Sequence, residues 1–235
     1  MKIAVLGTGE VGRTLATRLA GLGHQVTIGS RTADNAQAAE WAAANGGAHG
    51  TFATAAAGAE LVLNATAGEH ALAALTAAGA QNLDGKTVID VSNWLDFSAG
   101  FPPKVVVPDE GSLVEHLQAA FPGARFVKTL NTVNIKVMVS PQEVPGRHAI
   151  FVSADDAGAK AQAVELLRSF GWTDEQITDL GGLATARGTE TYLNLWLLLY
   201  GKIGHGSFNI SLVEGAVQGS AEAAVESATE STVEA

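Results

Sequence analysis

The chain has no cysteine among its 235 residues, which excludes disulfides, thiolate metal sites and cysteine nucleophiles. Histidine is sparse. His24, His49, His70, His116, His148 and His205 fall at no spacing that sets two imidazoles on one ion, so no metal is expected. Neither a G-x-S-x-G elbow nor a Ser-His-Asp pattern is present to support acyl transfer. Long apolar runs are missing too. The densest, Leu193 to Tyr200, is broken by Asn194 and falls short of the roughly 18 residues a membrane span needs. Positive charge is in deficit, with 14 Lys and Arg against 24 Asp and Glu and a net charge of -10. That balance argues against a nucleic-acid partner. The chain opens at once on a strand pattern, which leaves no room for a secretory leader. With the missing cysteines, this points to the cytoplasm.

Part of the acidity is local. Glu214, Glu222, Glu226, Glu230 and Glu234 all follow the last cation, Lys202, and account for about half of the net charge. The surrounding Ala, Ser, Thr and Gly cannot bury a core, so 214–235 reads as a disordered acidic tail.

What is present is concentrated at the start. Gly7-Thr8-Gly9-Glu10-Val11-Gly12 follows the apolar run Ile3-Ala4-Val5-Leu6 and precedes a helical pattern with Leu15 and Leu19 on one face. In strand–turn–helix context this is the dinucleotide fingerprint. Gly7 permits the tight turn, Gly9 lets a pyrophosphate approach the backbone, and Gly12 lets helix and strand pack closely. The helix start offers unpaired N–H groups to the phosphates. The second strand, Gln25 to Gly29, ends in Ser30-Arg31-Thr32 where an NAD enzyme carries a carboxylate for the ribose hydroxyl. A guanidinium there forks onto a 2′-phosphate and hydroxyls add neutral hydrogen bonds. The nucleotide expected is NADP(H).

Strand and helix signals then alternate. Strands are expected at Lys2–Leu6, Gln25–Gly29, near Thr51-Phe52, and at Leu61–Asn64, Thr87–Val91, Arg125–Thr129, His148–Ser153 and Ile177–Leu180. Helical patterns fall between them, and an aromatic-rich helix runs from Thr185 to Ile203. This order gives an α/β fold with a doubly wound, mainly parallel sheet. Residues 1–180 form the nucleotide-binding domain and 181–213 a small helical extension covering the substrate cleft at the strand ends.

Three loops at those ends are candidates for ligand contact. Ala65-Thr66-Ala67-Gly68-Glu69-His70 follows the fourth strand, Ser92-Asn93-Trp94 the fifth, and Thr129-Leu130-Asn131-Thr132-Val133-Asn134 the sixth. Asn131 and Asn134 can pair with a carboxamide or a flat heterocycle through donor and acceptor together; equally, each can cap a turn or helix start. No acid–base pair stands out, so no catalytic side chain is assigned. Hydride transfer between two planar cofactors needs alignment more than acid–base groups.

The run Gly7 to Gly12, with Leu15-Ala16, Arg18-Leu19-Ala20, Gly23-His24 and Gly29-Ser30-Arg31, resembles the NADPH-dependent coenzyme F420 reductase family. Glu69-His70-Ala71, Val127 to Thr132 and Phe208-Asn209-Ile210 resemble the wider family, so the similarity spans about 1–213. The resemblance implies a Rossmann fold, reversible hydride exchange between NADPH and the deazaflavin F420, and a homodimer. It puts Thr8, Gly9, Glu10 and Val11 at the pyrophosphate, and Ser30 and Arg31 at the 2′-phosphate. Ala65, Thr66, Ala67 and His70 would lie along the dinucleotide, and Phe208 with Asn209 would line the deazaflavin pocket. The anionic tail of F420 needs cations, for which Lys128, Lys136, Arg187 and Lys202 are candidates. Asn131 in the sixth-strand loop is also similar to the NADPH-binding domain of membrane metalloreductases, whose acceptor is a flavin. An NADPH-dependent flavin, ferric or small-carbonyl reductase is therefore a rival reading, and a non-catalytic NADP(H) sensor is another.

Overall fold

Ile3 to Leu6, Leu61 to Asn64 and Thr87 to Asp90 are buried at every position, as continuous apolar runs become when a parallel sheet is covered on both faces. The computed structural model describes residues 1–215. Eight strands form the main sheet: β1 (Lys2–Leu6), β2 (Gln25–Ser30), β3 (Ala48–Thr51), β4 (Leu61–Asn64), β5 (Thr87–Asp90), β8 (Arg125–Thr129), β9 (Ile150–Ser153) and β10 (Ile177–Asp179). A separate antiparallel pair, β6 (Leu95–Asp96) and β7 (Lys104–Val105), lies between β5 and β8 in the chain. The sheet order is β10-β9-β8-β5-β4-β1-β2-β3. Neighbours are parallel except β8 and β9, which run antiparallel.

One face is packed by α1 (Glu10–Gly21), α2 (Ala36–Asn45), α7 (Ile135–Val139) and α8 (Ala157–Phe170). The other carries α3 (Phe52–Gly58), α4 (Gly68–Ala78), α5 (Ala80–Leu83) and α6 (Leu113–Ala120). Each layer buries its own aliphatic cluster, the arrangement expected of a doubly wound domain. After a 3-10 turn at Leu183–Thr185, α9 (Ala186–Ile203) joins the second layer through Leu183 and Ala186. The helix ends are set by side chains. Asn35, Ser112 and Asp156 accept from the amides of Ala38, Glu115 and Ala159, and each such cap contributes about 1 kcal/mol.

The expected third strand is displaced. Thr51 ends β3, and its hydroxyl accepts from the Thr54 amide, so Phe52 already belongs to a helix. The stretch between β5 and β8 that holds Pro102, Pro103 and Pro108 carries the β6–β7 pair. The expected acidic tail lies outside the described residues except for Glu214 and Gly215.

Candidate active site

The strand order reverses between β1 and β4, and ligands of open α/β sheets bind at the carboxyl ends beside such a switch point. Gly7 leaves β1 with φ +123°, and its amide donates to Gly29 O at 3.0 Å. A Cβ on Gly12 would overlap the Gly7 carbonyl oxygen, whereas one on Gly9 would meet nothing within 4 Å. Gly12 is thus required by packing, and Gly9 leaves open space. Gly9 is also the N-cap of α1 and provides no side-chain cap, so amides at the helix start stay available to an anion. Thr8 and Val11 are half-buried and Glu10 is exposed. Arg13, which the fingerprint does not single out, folds back to donate to Thr8 O at 2.9 Å.

At the end of β2, Ser30 is buried and its hydroxyl donates to the carbonyls of Thr32 and Gly50. Its single hydrogen holds the turn. Arg31 is exposed and takes part in none of the ion pairs among the described residues. The β4 loop abuts the fingerprint: the Ala65 amide donates to Leu6 O at 2.9 Å. Thr66 donates its hydroxyl to Asn64 Oδ1 at 2.8 Å. Ala67 and His70 are exposed at the start of α4, where His70 Nε2 lies 3.4 Å from Glu69. Asn93 and Asn131 bind each other, with Asn93 Nδ2 donating to Asn131 O at 2.8 Å and Asn131 Nδ2 to Asn93 Oδ1 at 3.1 Å. Just before Asn131, Leu130, buried, holds φ +64°, a left-handed conformation unusual for a bulky residue. Asn134 caps α7 by accepting from the Lys136 amide at 3.1 Å.

The C-terminal helix presents a stack of rings. Phe208 lies on Trp196 with centroids 5.3 Å apart and planes at 21°. Trp196 lies on Tyr200 at 5.3 Å and 25°, and Phe101 from the β6–β7 loop meets Tyr200 edge-on at 5.9 Å. Among the described residues, Trp196 Nε1, Tyr192 Oη and Thr132 Oγ1 are buried without a hydrogen-bond partner. Burial raises the Tyr192 pKa. Asn209 differs, because both atoms of its carboxamide are engaged by neighbouring groups.

Residues 2–94 match the sequence profile described as "NADP oxidoreductase coenzyme F420-dependent". A protein of Arthrobacter sp. FB24, provisionally named an F420-dependent NADP-reductase, has a solved structure that is 49% identical. It superposes with a TM-score of 0.84 over 91% of this chain and 100% of that one. The chain belongs to the F420-dependent NADP oxidoreductase family. The rat (Rattus norvegicus) metalloreductase STEAP3 is 31% identical over 193 residues, which cover 80% of this chain. The chain spans only 36% of the length of that relative. An imine reductase of Streptomyces aurantiacus shares the fold, with 17% identity and a TM-score of 0.63 over 87% of this chain and 64% of that one.

This NADP oxidoreductase also contains a buried charge cluster that sequence reasoning missed. Lys128 is 1% exposed. Its ammonium donates to Asp90 Oδ2 at 2.7 Å and to Ser92 O at 2.6 Å, and lies 3.1 Å from Glu190 Oε1. Glu190 reaches from α9 to accept from the Leu113 and Val114 amides at the start of α6. Asp90 accepts from Asn64 and Ser92. Burial alone would lower the Lys128 pKa, but the charges of Asp90 and Glu190 and their hydrogen bonds outweigh it, and the net shift is upward. Lys128 is therefore not a cation for an anionic tail, which corrects the expectation from sequence. Arg187 is exposed and donates Nη1 to the carbonyls of Pro108 and Gly111, and Lys136 and Lys202 are exposed. Among the described residues no His, Asp and Glu group could hold a metal, and no helix is long and apolar enough to cross a membrane.

Proposed function

We propose that the chain passes a hydride between NADP(H) and coenzyme F420 across the carboxyl edge of the sheet. With both bound, NADPH would supply a hydride from nicotinamide C4 to deazaflavin C5, and the matching proton on the deazaflavin ring would come from solvent. The observation that carries the reading is the stacked wall of Phe208, Trp196 and Tyr200 in a fold whose first loop is built for a dinucleotide. Flat apolar faces stack on a tricyclic ring, and ring-to-ring transfer needs positioning rather than a proton donor.

The chain's own residues divide the work. Gly7, Gly9 and Gly12 shape the phosphate turn, and Thr8, Glu10 and Val11 lie along it. Arg31 selects the 2′-phosphate, with Ser30 fixing the turn that presents it. Ala65, Thr66, Ala67 and His70 flank the dinucleotide, and the mutual clasp of Asn93 and Asn131 holds the loops beneath the nicotinamide. Asn134, Phe208 and Asn209 belong to the acceptor side, where exposed Lys136 and Lys202 offer charge to the F420 tail. In this reading 1–180 is the nucleotide domain and 181–213 covers the cleft. The working form is a homodimer, for which exposed Leu195 and Leu198 on α9 and exposed Phe101 leave an apolar face.

The resemblance of the Asn131 loop to flavin-reducing metalloreductase domains, beside 31% identity to a metalloreductase, favours a second acceptor class, a flavin. Mixing the protein with NADPH and either F420 or FMN separates the two. Bleaching of the deazaflavin absorbance is expected. Turnover of FMN alone would assign the flavin reading, and no turnover with bound NADPH would remove both.

A further inference from the structure

The segment after α9 carries Phe208 and is confined at two points, one by close approach and the other by hydrogen bonds. The first is Gly206, which passes so close to Asn134 that a Cβ would overlap the Asn134 carboxamide. The second is Asn209. Its Nδ2 donates to Ala149 O at 2.7 Å and lies 2.9 Å from His148 Nδ1, while its Oδ1 accepts from the Ile210 amide at 2.8 Å. The Ala149 amide returns a bond to Ile210 O at 2.9 Å. Only Ser207 and Phe208 lie between the two points.

His148 is built to receive that bond. It is buried, and its Nε2 lies 3.0 Å from Pro141 O. A carbonyl only accepts, so Nε2 carries the hydrogen and Nδ1 presents its lone pair to Asn209. The ring stands edge-on to Trp172 at 5.2 Å and 78°, and Trp172 is itself held by Nε1 donating to Met138 O at 3.0 Å. The polarity of the clamp is fixed as well. Turning the Asn209 amide over would set its oxygen against Ala149 O and the His148 lone pair, and its NH2 against the Ile210 amide.

We propose that Asn209 is a positioning residue that, through His148, holds Phe208 against Trp196 and so sets the wall on which a planar hydride acceptor stacks. The proposal rests on the reading of that wall as the acceptor site, but the clamp can be judged without it. Asn209→Asp keeps the shape and replaces the donor by an acceptor. His148→Gln keeps one donor and one acceptor, and His148→Leu keeps neither.

Amide hydrogen exchange on the full chain is measured over 204–213, with the β1 and β4 peptides as internal reference. In Asn209→Asp and His148→Leu the segment is expected to exchange about tenfold faster, the loss roughly matching one or two neutral hydrogen bonds. His148→Gln is expected to stay near wild type. In steady-state assays with F420 the acceptor KM is expected to rise by a similar factor in Asn209→Asp, with the NADPH KM unchanged within about twofold. Unaltered exchange in Asn209→Asp would overturn the clamp, as would His148→Gln behaving like His148→Leu. Equal loss for both substrates would show a general structural defect and refute a positioning role. If wild type reduces neither F420 nor FMN, the acceptor reading fails and the exchange data alone decide the clamp.

Discussion

Lys128→Met removes the cation from the buried cluster while keeping most of the side-chain volume. Three contacts vanish together: Asp90 Oδ2 at 2.7 Å, Ser92 O at 2.6 Å and Glu190 Oε1 at 3.1 Å. Asp90 keeps Asn64 and Ser92, and Glu190 keeps the α6 amides, but both carboxylates lose their counter-charge inside the protein. Stranding a buried charge in this way costs about 3–5 kcal/mol. In a domain of this size that lowers the melting midpoint by roughly 6–20 °C, readable by differential scanning calorimetry. The pH window follows from the sign. Lys128 is raised from 10.5, so its contribution is complete below that value and is lost only as pH rises through the still higher folded value. The deficit should therefore be present at pH 7 and should not come from titration of the lysine. The variant combining Lys128→Met, Asp90→Asn and Glu190→Gln leaves no charge buried and is expected to regain part of the loss. A midpoint within about 2 °C of wild type for Lys128→Met would refute the reasoning, since even 1 kcal/mol moves it that far. A triple variant no better than the single one would mean that packing, not charge, carries the cost.

Further substitutions read the nucleotide turn and its surroundings. Gly9→Val is expected to fold with a loss of about 1 kcal/mol or less, the cost of a poorer N-cap residue, yet to lose NADPH binding in calorimetry because the added side chain fills the phosphate approach. Gly12→Ala should instead destabilise the domain by about 1–3 kcal/mol, the range for forced overpacking, in chemical denaturation, since its Cβ meets the Gly7 carbonyl. Ser112→Ala removes the α6 cap and should cost about 1 kcal/mol by the same measurement. Sedimentation of the wild-type chain should show a dimer that Leu198→Glu weakens.

The central strands and the fingerprint were legible because each is a local pattern. A run such as Val62-Leu63 can only be a core strand when both faces are covered, and Gly7 to Gly12 sits where one turn joins strand to helix. β3 was misplaced because it is an edge strand. Ala48 and His49 are exposed and only Gly50 is buried, so no apolar run marks it. The antiparallel direction of β9 leaves no trace in composition, since a strand reads the same either way. Lys128 reads in sequence as a cation free for an anionic tail because its partners, Asp90 and Glu190, meet it only through the sheet order and the docking of α9. For Asn209 the motif was visible but not its bonds, because His148 and Ala149 are about 60 residues away. Arg13 left no signal, since its bond to Thr8 O depends on the shape of the loop rather than on residue type.

The proposed recognition of the phosphorylated dinucleotide at the end of β2 is tested most directly by titration calorimetry of NADPH and NADH against wild type and Arg31→Ala. The expected result is tight NADPH binding by wild type and a loss of about 1.5–3 kcal/mol in Arg31→Ala, roughly 10- to 150-fold, with NADH little changed. Equal affinity of wild type for both nucleotides, or equal weakening of both by Arg31→Ala, would contradict it.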